Sequence, residues 1–485
     1  MTWTGADSVR HYENALDCLL FFREEVTVEV GAAVSAAPRS VMGNVFMAYL
    51  GLLGTEEKEA AGARKLFEEF RRGVHLSDVT PRERMHIDAA SSWLDGDIHR
   101  AGRVLGEISV ACPRDALALA VGHQVDFFTG NAVLLRDRIG GALSAWDEDD
   151  PHYGPLLGMY AFGLEEAGDY RRSEEVGLAA VQRNARDVWG IHAVVHAFEM
   201  QGRFAEGIRY LDERTGDWAD GNYLNVHNWW HYALYALEAG RTDRVLEVYD
   251  AALHNEGSAG VAMELLDAAS LLWRLHLGGV DTGNRWAALA DAWAGRRDGA
   301  YYVFNDVHAV MAYVGGDRIA DAERLIRDRE AWIRRAGPGV SNVPMTAEAG
   351  LPVCRALVAY ARRRYDEAVA LLLPLRHRFH AFGGSHAQRD AVQRTLVEAA
   401  LHAGHHEVAR TLLSERINLR PVCPYNWGAH ARLADRLGDA AGAAAGRRRA
   451  AEQQAAAAHG ITGRSARRVD GFPAPTVRDP PTAGL

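Results

Sequence analysis

Residues 156–187 read LLGMYAFGLEEAGDYRRSEEVGLAAVQRNARD. An apolar run carrying aromatics stops at Gly168 with Asp169 behind it, and a charged amphipathic run follows. This is the pattern of two helices joined by a tight turn, because a helix commonly ends on a left-handed residue that glycine adopts at least cost. The phrase recurs along the chain. The glycines that close it, Gly96, Gly130, Gly168, Gly202 and Gly240, are spaced 34, 38, 34 and 38 residues apart, which is the tetratricopeptide period of ~34 with small insertions. Later copies turn at Gly278, Gly316, Gly404 and Gly438. The spacing predicts an all-α protein, a tetratricopeptide-like right-handed superhelix of about eleven or twelve antiparallel helix hairpins, each burying its apolar faces against its neighbours. The first helix of each pair is expected to line the concave face. The chain divides into an N-terminal helical segment (1–40), the solenoid (41–438), an Ala/Arg-rich capping helix (439–463) and a Pro-rich tail (464–485) expected to be disordered.

The next stretch, residues 188–240, carries a histidine pair on each of two first helices: His192 with His196 in HAVVH, and His227 with His231 in HNWWH. Residues four apart share a helix face, so each pair is a two-imidazole patch. Glu199 falls on the face of the first pair and Trp230 flanks the second. Two imidazoles at this spacing form one arm of a metal site, and zinc or iron needs further ligands that the second pair could supply. Val194 and Val195 stand where HExxH would place its glutamate, so the zincin base is missing. The plainer reading makes these interior histidines that bond carbonyls and carboxylates of the next helix. A third reading is metal-free acid and base work by histidine, whose unperturbed pKa lies near neutrality.

Three other stretches put polar groups on lining helices. In YVFNDVHAVMAY (302–313), Asn305 and His308 share a face, whereas Asp306 and His308 point nearly opposite ways; Asn305 or Asp306 also suits an N-cap. In GGSHAQRDAVQRTL (383–396), Ser385 and Gln388 have capping-box spacing, leaving Arg389 and Asp390 beside a helix start suited to a carboxylate or phosphate. In MELLDAASLLWRLHLGG (263–279), Asp267, Ser270 and Arg274 form an internal hydrogen-bonded stripe. No GxSxG elbow is present.

Composition narrows the function classes. The 485 residues are 48% hydrophobic and 24% charged with a formal net charge of −10, and Lys58 and Lys65 are the only lysines. This argues against general nucleic-acid affinity. The four cysteines, Cys18, Cys112, Cys354 and Cys423, form no CxxC pair, so thiolate zinc sites of local spacing and a dense disulfide framework are excluded. No run approaches the ~18 apolar residues of a membrane span. A cytoplasmic location is expected.

The phrases HAVVHAFEMQGR, HNWWHYAL, DAASLLWRLHLGG, FNDVH, GLPVCRAL and GGSHAQRD, in this order, resemble the tetratricopeptide repeat protein 38 family over roughly residues 88–437. The resemblance implies the helical superhelix and no particular reaction. The residues in those phrases are His192, His196, His227, Asn228, His231, Asn305, Asp306, His308, Gln388, Arg389 and Asp390. We read His192, His196, His227, His231 and His308 as catalytic candidates. Asn228, Trp230, Asn305, Asp306, Gln388, Arg389 and Asp390 are candidate substrate contacts, with Arg389 holding an anionic group. No organic cofactor is expected, and a divalent metal on the four central histidines is the alternative. The first function expected is binding or transformation of a small polar or anionic metabolite in a pocket narrowed by Trp189, Trp218, Trp229, Trp230, Tyr301, Tyr302 and Trp427. The others are an adaptor that captures a peptide or protein in the concave groove and a His-ligated metal-dependent hydrolase.

Overall fold

The computed structural model describes residues 1–296 and 299–461, and every regular element among them is helical. The expected tail, 464–485, lies outside the described residues. Twelve helix pairs succeed one another, from Ala6–Leu20 with Val26–Ala36 to Pro424–Arg436 with Ala440–Ala458. An isolated bridge between Arg23 and Asn222 is the only extended pairing among the described residues. The architecture is an all-α, tetratricopeptide-like superhelix of helix hairpins. No helix of the described residues is long and apolar enough to cross a membrane.

Local chemistry places the helix ends. Asp97, Asp115, Asn131, Asp169 and Asp187 each stand just before a helix and accept from a backbone N–H three residues on, a cap worth about 1 kcal/mol. Gly96, Gly130, Gly168, Gly202 and Gly240 all have positive φ. Two later turns depart from the expected position. After Ala262–Leu277 the left-handed residue is Gly279, with Gly278 at φ −80. After Val303–Gly315 it is Asp317, with Gly316 at φ −83. In both, the chain keeps negative φ for one more residue before reversing, and aspartate is among the side chains that tolerate the left-handed region.

The first helices of the central pairs are buried nearly all round and their second helices are not. Every residue of Val188–Gln201 except Gln201 is buried, whereas in Tyr170–Arg183 only Ser173, Gly177, Ala180 and Val181 are. A helix buried on every side needs material on its inner face too, and the second half of the chain supplies it. Ser341 donates its N–H to the Gly96 carbonyl at 2.9 Å. Gly130 lies against His380 and Gly202 against Val422, where an added Cβ would stand 2.0 and 2.1 Å from the carbonyl oxygens. The His386 N–H reaches Glu166 at 2.7 Å, and Gln454 packs on Gly240. The inner ends of successive early hairpins therefore run in order along the late ones. The concave face is covered by the chain itself.

Burial of polar groups on this scale has a pH signature. His123, on Ala116–Phe128, donates to the Met159 carbonyl at 3.0 Å and faces Arg138 of the next helix. Burial pushes its pKa down to about 3. Its folded-state value lies below the unfolded ~6.5, so the stabilisation is complete above pH 6.5 and declines as pH falls, by about 1.4 kcal/mol per unit. Urea unfolding measured between pH 7 and pH 5 is expected to show this loss, and His123→Gln is expected to flatten the slope by that amount.

Candidate metal centre

The two histidine pairs meet. His192 and His196 come from Val188–Gln201, and His227 and His231 from Asn225–Glu238, the first helix of the next pair. Ring centroids are 4.4 Å apart for His192–His196, 4.3 Å for His196–His231, 4.8 Å for His227–His231 and 5.1 Å for His192–His227. Each ring offers one nitrogen to a set whose members all lie within 4.8 Å of one another. The His196, His231 and His192 side chains are sealed from solvent, and only His227, with its side chain 15% exposed, faces a way out.

Carboxylates hold the outer sides of three rings. His227 Nδ1 lies 2.8 Å from Asp267 Oδ2, and His231 Nδ1 lies 2.8 Å from Glu199 Oε2. His196 Nδ1 stands 3.3 Å from Glu165 Oε2. Trp230 stacks on His227 at 5.0 Å and donates its indole N–H to Ser270, which fixes the rotamer of the partly exposed ring. The inner nitrogens have no such partners. Both nitrogens of His192 and of His196, and Nε2 of His231, are buried without a hydrogen bond among the described residues, His196 Nδ1 having only the 3.3 Å approach of Glu165.

Leaving a buried polar atom unpaired costs roughly 1–3 kcal/mol, so these nitrogens together amount to several kcal/mol. The plainer reading, histidines satisfied by neighbouring helices, accounts for the outer nitrogens and leaves the inner ones unexplained. A ring whose Nδ1–H is tied to a carboxylate presents a bare Nε2 lone pair, the usual support of a metal-bound imidazole. Burial, with the imidazoles beside them, holds His192 and His231 well below their ordinary pKa, the neutral state that ligation requires. At His196 burial pulls the same way, but the Glu165 carboxylate outweighs it and raises the ring's value.

No protein-family model matches the chain. Among solved structures, human IFIT1 dimers with PPP-AAAA and with m7Gppp-AAAA align over 93% of this chain and 96% of theirs, at 12% identity and TM-scores of 0.39 and 0.40. A likeness this loose does not bear on what this chain binds, and the fold assignment stands on the helix pairs themselves. The narrower resemblance to the tetratricopeptide repeat protein 38 family rests on the sequence phrases.

The remaining candidate residues are distributed elsewhere. His308 donates Nδ1–H to the Phe304 carbonyl at 2.8 Å, and burial pushes its pKa down to about 4. Asn305 donates to the Thr55 carbonyl at 2.9 Å. Asp306 takes both arms of Arg329 at 2.8 and 2.9 Å. Gln388 completes a capping box with Ser385. Arg389 is held by the Gly384 carbonyl and, at 3.1 Å, by Glu166, and Asp390 by Arg394 and Arg416 at 2.6 and 2.7 Å. Asn228 is fully buried and neither amide atom has a hydrogen-bond partner. Glu165, Glu199 and Asp267, which fix the imidazoles, were not among the expected site residues. A signal for one of them exists in the sequence: Asp267 and Ser270 follow His227 and Trp230 by 40 residues each, the same places on the next first helix.

Proposed function

We propose that the chain is a metalloprotein in which His192, His196, His227 and His231 hold one transition-metal ion inside the closed superhelix. The observation that carries this reading is the set of bare, buried ring nitrogens converging within 4.8 Å. An all-imidazole set suits zinc, copper, nickel, cobalt or iron rather than magnesium or calcium. An ion that takes a fifth ligand, as copper, nickel, cobalt or iron can, would supply Lewis acidity to water or to a small substrate's oxygen when bound, whereas zinc held by all four rings would be closed. The protein's part is to orient the rings through Asp267, Glu199 and Glu165, to exclude bulk water from three of them, and to leave an approach beside His227. A small molecule can use that approach; a peptide cannot reach the inner face, which the second half of the chain covers. This supports a metal-dependent enzyme over an adaptor.

A second reading, acid and base work by metal-free histidines, is favoured by the same bare nitrogens. Elemental analysis of protein purified without a polyhistidine tag separates the two. We expect about one transition-metal ion per chain, retained through dialysis, with rebinding tighter than about 1 μM after stripping. A chain that binds none of these metals would leave the acid and base reading standing alone. Asp267→Asn is expected to keep the fold and weaken metal affinity about 10–100-fold, as measured by competition with a chromogenic chelator.

A further inference from the structure

The helix Tyr153–Glu166 ends in two consecutive buried carboxylates, Glu165 and Glu166. The C-terminal end of a helix already carries partial negative charge, so a pair of acids there demands positive charge nearby. Glu166 is accounted for: one oxygen accepts the His386 backbone N–H at 2.7 Å and the other accepts from Arg389 at 3.1 Å. Glu165 is answered on one side only: its residue exposure is 0%, Oε2 stands 3.3 Å from His196 Nδ1, and neither oxygen has a hydrogen-bond partner among the described residues.

His386 completes the arrangement. Its Nδ1, itself buried and without a hydrogen bond, stands 3.9 Å from Glu165 Oε1 and 3.7 Å from Glu166 Oε1. These separations exceed a hydrogen bond. They match two ligands of one ion, because metal–ligand distances of about 2.0–2.2 Å put adjacent ligand atoms about 3–4 Å apart. Glu165, Glu166 and His196 likewise each offer an atom to a set within 4.8 Å. The His386 side chain is 34% exposed, so the place opens to solvent on a side of its own.

We infer that Glu165, Glu166 and His386 bind a second divalent cation next to the four-imidazole site, with His196 on the border between them. Two carboxylates and an imidazole form a harder set than four imidazoles, one that accepts manganese or ferrous iron once the softer site is filled. The inference rests on the four-imidazole reading only in that His196 faces both places. Glu165 then has two tasks: one oxygen steadies the His196 ring and the other meets the cation.

The test is metal counting on full-length protein stripped, loaded with one equivalent of Zn2+ and then with excess Mn2+, with circular dichroism to check the fold. Wild type is expected to hold about one of each. Glu166→Gln is expected to lose Mn2+ and keep Zn2+, and His386→Ala, at a half-exposed position, to weaken Mn2+ at least about tenfold without touching Zn2+. His227→Ala with His231→Ala is expected to lose Zn2+ and keep Mn2+. Zn2+ without Mn2+ in the wild type would overturn the second site and leave the first. Retention of Mn2+ in Glu166→Gln would also overturn it. Binding of neither ion by wild type would overturn both sites.

Discussion

Protein carrying His196→Ala with His231→Ala is expected to be folded and, when loaded with one equivalent of zinc, to hold no tightly bound zinc, against about one ion per chain for wild type. Zinc sites of four protein ligands are worth roughly 10–16 kcal/mol, or roughly 3–4 kcal/mol per ligand. Removing two therefore lowers affinity by roughly four powers of ten or more. These two rings have the strongest claim to this effect. They stand 4.3 Å apart on different helices, are sealed from solvent, and each carries an unpartnered Nε2. Alanine at both positions removes buried unpaired nitrogens but also takes the 2.8 Å partner from buried Glu199 and opens cavities, so apo-protein stability should fall by a few kcal/mol, and circular dichroism checks the fold. Equal metal content in the variant and the wild type, by elemental analysis, would place the ion elsewhere.

Gly202→Ala is expected to be among the most destabilising single substitutions in the chain, by roughly 3–5 kcal/mol. Gly202 has φ 71 at the end of the first histidine helix, where an L side chain costs about 1–2 kcal/mol. Its added Cβ would also meet the Val422 carbonyl oxygen at 2.1 Å, and neither backbone can yield without parting the early hairpins from the late ones. Gly168→Ala is the control: φ is 87 but nothing lies within 4 Å of the new Cβ, so only the conformational cost of about 1–2 kcal/mol remains. The two thermal midpoints should differ accordingly. Equal shifts would mean that the contact between the two halves of the chain contributes little.

The hairpins were legible because they are written in short-range terms, glycine and aspartate at helix ends and apolar runs between them. The two histidine pairs were legible for the same reason, four-residue spacing on a helix. What could not be read was which polar residues satisfy one another across the closed superhelix. Asn305, Asp306 and Asp390 look misplaced on apolar helices, yet Thr55, Arg329, and Arg394 with Arg416 answer them. Gln388 was read with its capping role and has it. Glu165, by contrast, sits in LEEAGD, which reads as a solvated helix end. Its burial comes from His386, more than two hundred residues later in the chain, and no local pattern carries that contact. The residues that close the concave face escaped for the same reason, because the seam pairs residues such as Gly202 and Val422.

The most direct measurement is X-ray absorption at the metal edge of protein loaded with one equivalent of zinc or cobalt. Four imidazoles predict a first shell of nitrogen at about 2.0–2.1 Å with the outer-shell scattering of imidazole rings, and loss of that ring scattering in His196→Ala with His231→Ala. A shell containing sulfur at about 2.3 Å, or one of oxygen without imidazole scattering, would contradict the account.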